Sequence, residues 1–164
     1  MKFSSNKCAR IHVGNRKKCD ECATIYAHEG EIKSSYKEKY LGDFITKNAN
    51  SNETIIQRKA RGFAILSEMK SLLSEIPLGS RRMEIGLSLR DAWFINGTLY
   101  NSETWNSYSS KNVSDLEVID HMILKLILGA QSKVPVEQLY LETGCLPIPH
   151  VISMRRMLYF KNHP

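Results

Sequence analysis

The apolar pattern of this chain changes period once, at Lys37–Thr46 (KEKYLGDFIT), and that change limits what the chain can fold into. Ahead of it apolar and polar residues alternate in short runs, as in half-buried strands; behind it apolar residues recur every three to four positions, as in amphipathic helices. The expected class is α+β, with a small N-terminal antiparallel β-sheet over residues 1–47 and a mainly α-helical bundle over 48–164. Within the junction Tyr40, Leu41, Phe44 and Ile45 are strand formers. Gly42-Asp43 between them marks a tight turn, or a close backbone approach that a side chain would block.

The N-terminal strands are short. Cys8, Arg10 and His12 alternate with Ala9, Ile11 and Val13 until Gly14-Asn15 ends the run, residues 23–28 form a second strand, and Ile32–Tyr36 a third. The spacing predicts one sheet of three or four strands, too small to stand as a domain of its own. Beyond the polar linker 47–52, with Asn52 as N-cap, the spacing predicts a helix over 53–76 carrying Ile55, Ile56, Phe63, Leu66, Met69, Leu73 and Ile76, with Gly62 as its weak point. Pro77 ends it. A second helix is expected over 81–94, followed by a left-handed cap or turn at Asn96-Gly97. Trp105 and Tyr108 are expected to pin the polar loop that follows. Ser114 and Glu117 form a capping box for the most apolar helix, 115–129, expected at the bundle centre. A short helix from Pro135 to Gly144 and a last one after Pro147 and Pro149 complete the set. In the last helix Arg155, Arg156, Leu158, Phe160 and Lys161 are still in register when the chain stops, which reads as a domain cut short.

Charge is uneven along the chain. Residues 1–82 hold 16 basic and 9 acidic side chains, a net +7, whereas residues 83–164 hold 7 and 8, a net −1. A basic half favours a polyanionic partner, nucleic acid before a membrane surface. The N-terminal MKFSSNKCAR is too polar for a signal peptide, and the run from Met122 to Ala130 is too short to span a bilayer. An intracellular, soluble protein with reduced thiols is expected. The sequons at Asn52, Asn96 and Asn112 then carry no weight.

Little in the chain suits catalysis. Cys19-x-x-Cys22 is half of a zinc site that Cys8 with His12 or His28 could complete. Strand geometry, however, puts Cys8 and His12 about 13 Å apart on one face. Cys8, Cys19 and Cys22 are weak zinc candidates, and no metal site is assigned. Cys145 has no histidine nearer in sequence than His150 and reads as a buried thiol in a turn, and His121 as a core or boundary histidine. Two-metal phosphoryl transfer needs clustered carboxylates. The chain has no Asp-Asp pair, so alone it should not polymerise nucleotides.

Five segments in order resemble the reverse transcriptase of non-LTR (LINE-type, jockey-like) retrotransposons, over nearly the whole chain. MKFSSNKCARIHVG looks like the segment after the catalytic Asp-Asp hairpin, and KYLGDFIT like the primer grip that ends the palm. RKARGFAILSEMKSLLSEIPLGSRR with MEIGLSLRDAWFINGTLYNSETW is similar to the first thumb helices, including Gly62 and the spacing from Asn96 to Trp105. LEVIDHMILKLILGAQSKVPVEQLYLETGCLPIPHVISMRRMLY is similar to the later thumb and connector. The resemblance implies that Tyr40, Leu41 and Gly42 lay backbone against the primer 3′ end and that Lys7 sits near the phosphates of the incoming nucleotide. It also implies that Arg58, Lys59 and Arg61 follow the template-primer backbone as phosphate contacts.

The same resemblance implies a fragment of an RNA-directed DNA polymerase that binds an RNA/DNA template-primer. The catalytic Asp residues are absent, so the fragment should be inactive alone. It needs no cofactor, Mg2+ belonging to the complete enzyme, and the missing remainder of that enzyme is its expected partner. The alternatives are a non-catalytic nucleic-acid-binding module that uses the basic face, and a zinc-binding α+β module built on Cys8, Cys19 and Cys22.

Overall fold

The computed structural model describes residues 8–13, 25–27 and 30–162, and its class is α+β. The chain divides into two compact units. The first comprises Met1–Thr54 with Asn106–Tyr108, the second Ile55–Trp105 with Ser109–Pro164.

In the first unit strands β1 (Ile25–Ala27) and β2 (Gly30–Ile32) pair antiparallel, and β3 (Lys37–Tyr40) pairs with β4 (Asp43–Thr46). Among the described residues these are two separate two-stranded sheets and not the single sheet expected from the alternation. The segment around Arg10 contributes one parallel bridge, Arg10 to Ser34, and residues 33–36 lie outside any strand. Period-2 alternation specifies extended backbone, but pairing requires a partner edge in register, which the pattern does not encode. The β3–β4 hairpin is braced by the chain that follows it. The Phe44 N–H donates to Thr54 Oγ1 at 2.8 Å, and Lys37 Nζ reaches Glu53 Oε2 at 2.7 Å. Thr46, buried, accepts from the Asn50 N–H. Asn106 joins this unit through Ser51, whose N–H donates to the Asn106 carbonyl at 3.1 Å.

The second unit is helical. Helix α1 (Asn52–Ser74) starts in the first unit and supplies a buried face of Ile55, Arg58, Gly62, Ile65, Met69 and Leu73. That set recurs at steps of three and four, as an inward helical stripe must. It differs from the expected stripe, since Ile56 and Phe63 are each 48% exposed and an arginine and a glycine occupy the face instead. At Gly62 a Cβ would stand 3.1 Å from the Phe94 ring and 3.3 Å from Ile119 Cδ1. The glycine is a crossing point.

Helix α2 (Ser80–Leu89) runs on through a π-helical segment, Arg90–Ile95, into a last α-turn, Asn96–Thr98. Asn96-Gly97 is therefore inside the helix, a correction to the expected cap, and the left-handed residue is Asn101 (φ 59°). Arg82, Gly86, Arg90, Phe94 and Thr98 are all buried, at intervals of four. An α-helix has 3.6 residues per turn, so each step of four drifts by ~40° around the axis. The wider i→i+5 turn takes up this drift and keeps the five residues on one side.

Helix α3 (Ser110–Leu128) begins four residues before the expected capping box, so Ser114 lies inside it; it ends on the left-handed Gly129. Its Leu116, Ile119, Ile123 and Leu124 are fully buried and form the centre of the unit, as expected of the most apolar helix. Helix α4 (Val136–Thr143) ends on the left-handed Gly144, and α5 (Ile148–Asn162) buries Ile148, Val151 and Ile152. Arg82 closes two helix ends: its guanidinium donates to the carbonyls of Leu73 (2.6 Å) and Ile76 (2.9 Å) at the end of α1 and of Leu126 (2.8 Å) in α3.

The α2–α3 crossing is tighter than that at Gly62, because a Cβ on Gly86 would meet Ile127 Cγ1 at 2.7 Å and Cγ2 at 2.9 Å. Gly to Ala inside a helix ordinarily gains about 1 kcal/mol. Gly86→Ala is expected to lose stability instead, by up to ~2 kcal/mol once overpacking is set against that gain. Urea denaturation measures it, and a double-mutant cycle with Ile127→Ala should return a favourable coupling.

Candidate functional site

Three groups of polar or exposed residues could carry function. The first is the β3–β4 hairpin tip. Tyr40 pairs with Asp43, leaving the two-residue loop Leu41-Gly42, in which both φ angles are positive, 48° and 92°. Two-residue loops of this kind favour Asn-Gly, because an L side chain is strained at positive φ. A leucine here costs roughly 1–3 kcal/mol of backbone strain. Side-chain burial recovers little of that cost, for Leu41 is 75% exposed and Tyr40 64%. Of the three residues read as a primer grip, Tyr40 and Leu41 thus form an exposed, strained tip, with Gly42 half-buried beside them.

The second group is the basic turn of α1. Arg58 is on the buried stripe, 8% exposed, with its guanidinium 5.4 Å from the centre of the Tyr100 ring. Lys59 donates to Asp115 Oδ2 at 2.9 Å and is about one-third exposed. Arg61 is exposed and lies across Gly97, whose missing Cβ leaves room for it; a Cβ there would be 3.1 Å from Arg61 Nε. The three consecutive-turn cations therefore point three ways: into the core, to an acid on α3, and to solvent. Tyr40, Leu41 and Gly42 fall in the first unit and these cations in the second.

Arg61 opens onto an open cleft of about 450 Å³ between α1 and the π-helical segment, with Ile65 and Glu68 on one wall and Trp93, Asn96 and Gly97 on the other. The indole of Trp93 is 36% exposed. Asn96 Oδ1 accepts from Arg155 Nη2 at 3.1 Å, which fixes the amide orientation and leaves its NH2 for other partners. The cleft was not legible in the sequence, because it needs the π turn to set Trp93 apart from its buried neighbours Phe94 and Ile95.

The third group is buried. Arg90 Nε and Nη2 donate to Asp120 Oδ1 and Oδ2 at 2.6 and 2.8 Å, a bidentate pair whose side chains are almost wholly enclosed. Burial opposes both charges and pushes the Asp120 carboxyl up, but the two bonds from Asp120 outweigh it at Arg90 and hold the guanidinium charged. Arg90 also reaches Asp91 Oδ1 at 3.0 Å and the Leu146 carbonyl at 3.4 Å. Next to this pair His121 Nε2 and Tyr140 Oη are 2.9 Å apart, so His121 is a partnered boundary histidine, as expected. Burial, with Asp120 and Glu117 nearby, raises the Tyr140 phenol above its usual range. Cys145 is half-buried, more exposed than the enclosed thiol expected, because it follows the exposed turn at Gly144. With both charges satisfied by each other and closed off from solvent, the Arg90–Asp120 pair is structural.

Lys7, Cys19, Cys22 and His28 lie outside the described residues. Cys8 is half-buried, and among the described residues no group of three or more His, Cys, Asp or Glu is placed to hold a metal ion. Among the same residues no helix is long and apolar enough to cross a membrane.

Two expectations separate the structural cations from the exposed one. Asp120→Asn leaves the Arg90 guanidinium with only the exposed carboxylate of Asp91 as counter-charge and should cost about 3 kcal/mol, whereas Arg90→Met with Asp120→Leu should cost much less; chemical denaturation of both variants measures the difference. Arg58→Ala should lower the thermal midpoint, while Arg61→Ala should leave it within a degree or two, since surface changes are within about ±0.5 kcal/mol. No protein-family model matches this chain, and no curated protein or solved structure matches it either.

Proposed function

We propose that this chain is a fragment of a retrotransposon RNA-directed DNA polymerase whose own contribution is to bind the template-primer. The observation that carries the reading is the Leu41-Gly42 turn. Positive φ at a leucine, on a tip where Leu41 is 75% and Tyr40 64% exposed, is backbone strain that burial of these side chains does little to offset. A backbone presented at such a tip, with no Cβ at Gly42, suits close approach to a sugar-phosphate end. Tyr40 and Leu41 add apolar surface against the terminal base pair. Arg61, exposed on α1, supplies a phosphate contact that carries affinity without sequence information. Arg58 and Lys59, turned to the core and to Asp115, support the fold of α1 and make a smaller contribution.

Polymerisation belongs to the complete enzyme, in which carboxylates and Mg2+ would come from segments this chain does not contain. The isolated chain should therefore bind and not extend a primer. A non-catalytic nucleic-acid-binding module is the competing reading, and the dependence on a primer end distinguishes the two.

The test is fluorescence anisotropy with two RNA/DNA duplexes of equal length, one blunt and one with a recessed 3′ end. The unaltered chain should prefer the recessed end, and Tyr40→Ala with Leu41→Asn should abolish that preference while keeping the hairpin, because Asn suits the turn. Arg61→Ala should weaken both duplexes and reduce the slope of log K against log salt by about 0.9. Equal affinity of the unaltered chain for the two ends would leave only the non-specific module.

A further inference from the structure

The cleft between α1 and the π-helical segment has a chemistry of its own. Its residues do not explain themselves as packing: Trp93 and Glu68 are exposed, Arg61 lies over a glycine, and no ion pair to Arg61 or Glu68 is present among the described residues. An aromatic ring, a carboxylate, an amide with its NH2 available and a guanidinium converge on one open space. Apolar ligands are poorly served by three polar groups, and a simple anion is poorly served by Glu68.

We infer that this cleft takes one unstacked guanine of a single nucleic-acid strand, an inference that rests on the nucleic-acid reading above. Trp93 supplies a stacking surface, which any base can use. Selectivity comes from Glu68. Guanine alone among the common bases offers two adjacent donors, N1–H and N2–H, which the two oxygens of a carboxylate accept together. Cytosine and adenine offer one amino group beside a ring nitrogen acceptor that repels a carboxylate, and uracil offers one N–H between two carbonyls. Asn96 completes the recognition, because Arg155 holds its Oδ1 and its NH2 can donate to guanine O6. Arg61 meets the adjoining phosphate, its position set by Gly97. The base must be out of a duplex, since its Watson–Crick edge is then free.

Trp93 is its own reporter, as Trp105, the other tryptophan, is buried at 3% exposure. The full chain is titrated with the ribo-tetranucleotides UUGU, UUAU, UUCU and UUUU at one salt concentration, and quenching of indole fluorescence is followed. Equal charge on the four probes cancels the phosphate contribution. UUGU is expected to bind about tenfold more tightly than the others, in the range a bidentate base contact supplies. Glu68→Gln, nearly the same size, puts an NH2 against the guanine donors and should bring the ratio of UUGU to UUUU binding to about one; the lost negative charge acts on all four equally charged probes and cancels in that ratio. Arg61→Ala should weaken all four probes alike.

Equal quenching by all four, or a guanine preference that survives Glu68→Gln, overturns the inference. Binding of free GMP as tight as that of UUGU overturns the strand and assigns the cleft to a free nucleotide. The duplex measurement above separates the two readings: a recessed-end preference without guanine selectivity removes the cleft and keeps the template-primer role. Guanine selectivity with no recessed-end preference keeps the cleft and removes that role.

Discussion

One buried ion pair sets how the helices of the second unit are matched. Arg90 and Asp120 join the π-helical segment to the central helix α3, and the spare reach of the guanidinium takes in the Leu146 carbonyl ahead of α5. A guanidinium in this position cannot be neutralised, so it must be matched, and the match fixes the rotation of one helix against the other. The π turn follows from the same requirement. Arg82, Gly86, Arg90, Phe94 and Thr98 face inward at intervals of four, and a uniform α-helix continued past Arg90 would carry Phe94 and Thr98 progressively off the face. Arg90 meets Asp120 where the wider turn begins, and beyond it Phe94 meets Gly62 while Trp93 is left on the outside.

Arginine is a recurrent structural device in this unit. Arg82 closes carbonyls at the ends of two helices, Arg155 takes the Leu99 carbonyl at 2.5 Å, Arg156 donates to the Trp105 carbonyl, and Arg58 lies along the core. Helix ends and loops leave carbonyls that must find donors, and a planar five-donor group satisfies several at once. The consequence for function is a reassignment of charge. A net +7 in residues 1–82 suggests a basic surface, yet Arg58 and Arg82 are inside and Lys37 and Lys59 are engaged with acids. Formal charge counts side chains wherever they lie, whereas the field met by a polyanion comes from those that reach solvent.

Strain and exposure coincide at the hairpin tip. Most of the chain places residues where their intrinsic preferences suit them, with Gly129 and Gly144 on left-handed caps and the apolar residues of α3 inward. Leu41 departs from this consistency in conformation and in environment together, and such departures are characteristic of sites kept for something other than folding.

The order of the helices and one hairpin follow from the sequence alone. Period, proline and glycine act locally, so the hairpin at Lys37–Thr46, the end of α1 near Pro77, and α3, α4 and α5 were all legible, and so was the burial of Trp105. Local signals also misled where another local motif imitated them. Ser114 and Glu117 copy a capping box inside a helix, and Asn96-Gly97 copies a cap inside another. The pairings were settled by contacts in three dimensions: which edges the short strands use, which side of α1 is inward, and which arginines are internal. Arg58 and Gly62 sit on the buried stripe because Tyr100 and Phe94 are there to receive them, and the cleft around Trp93 exists because Asp120 sets the turn of α2. These are contacts between residues some 30 to 60 positions apart, and hydrophobic periodicity, which scores each side chain against its neighbours in sequence, has no access to them.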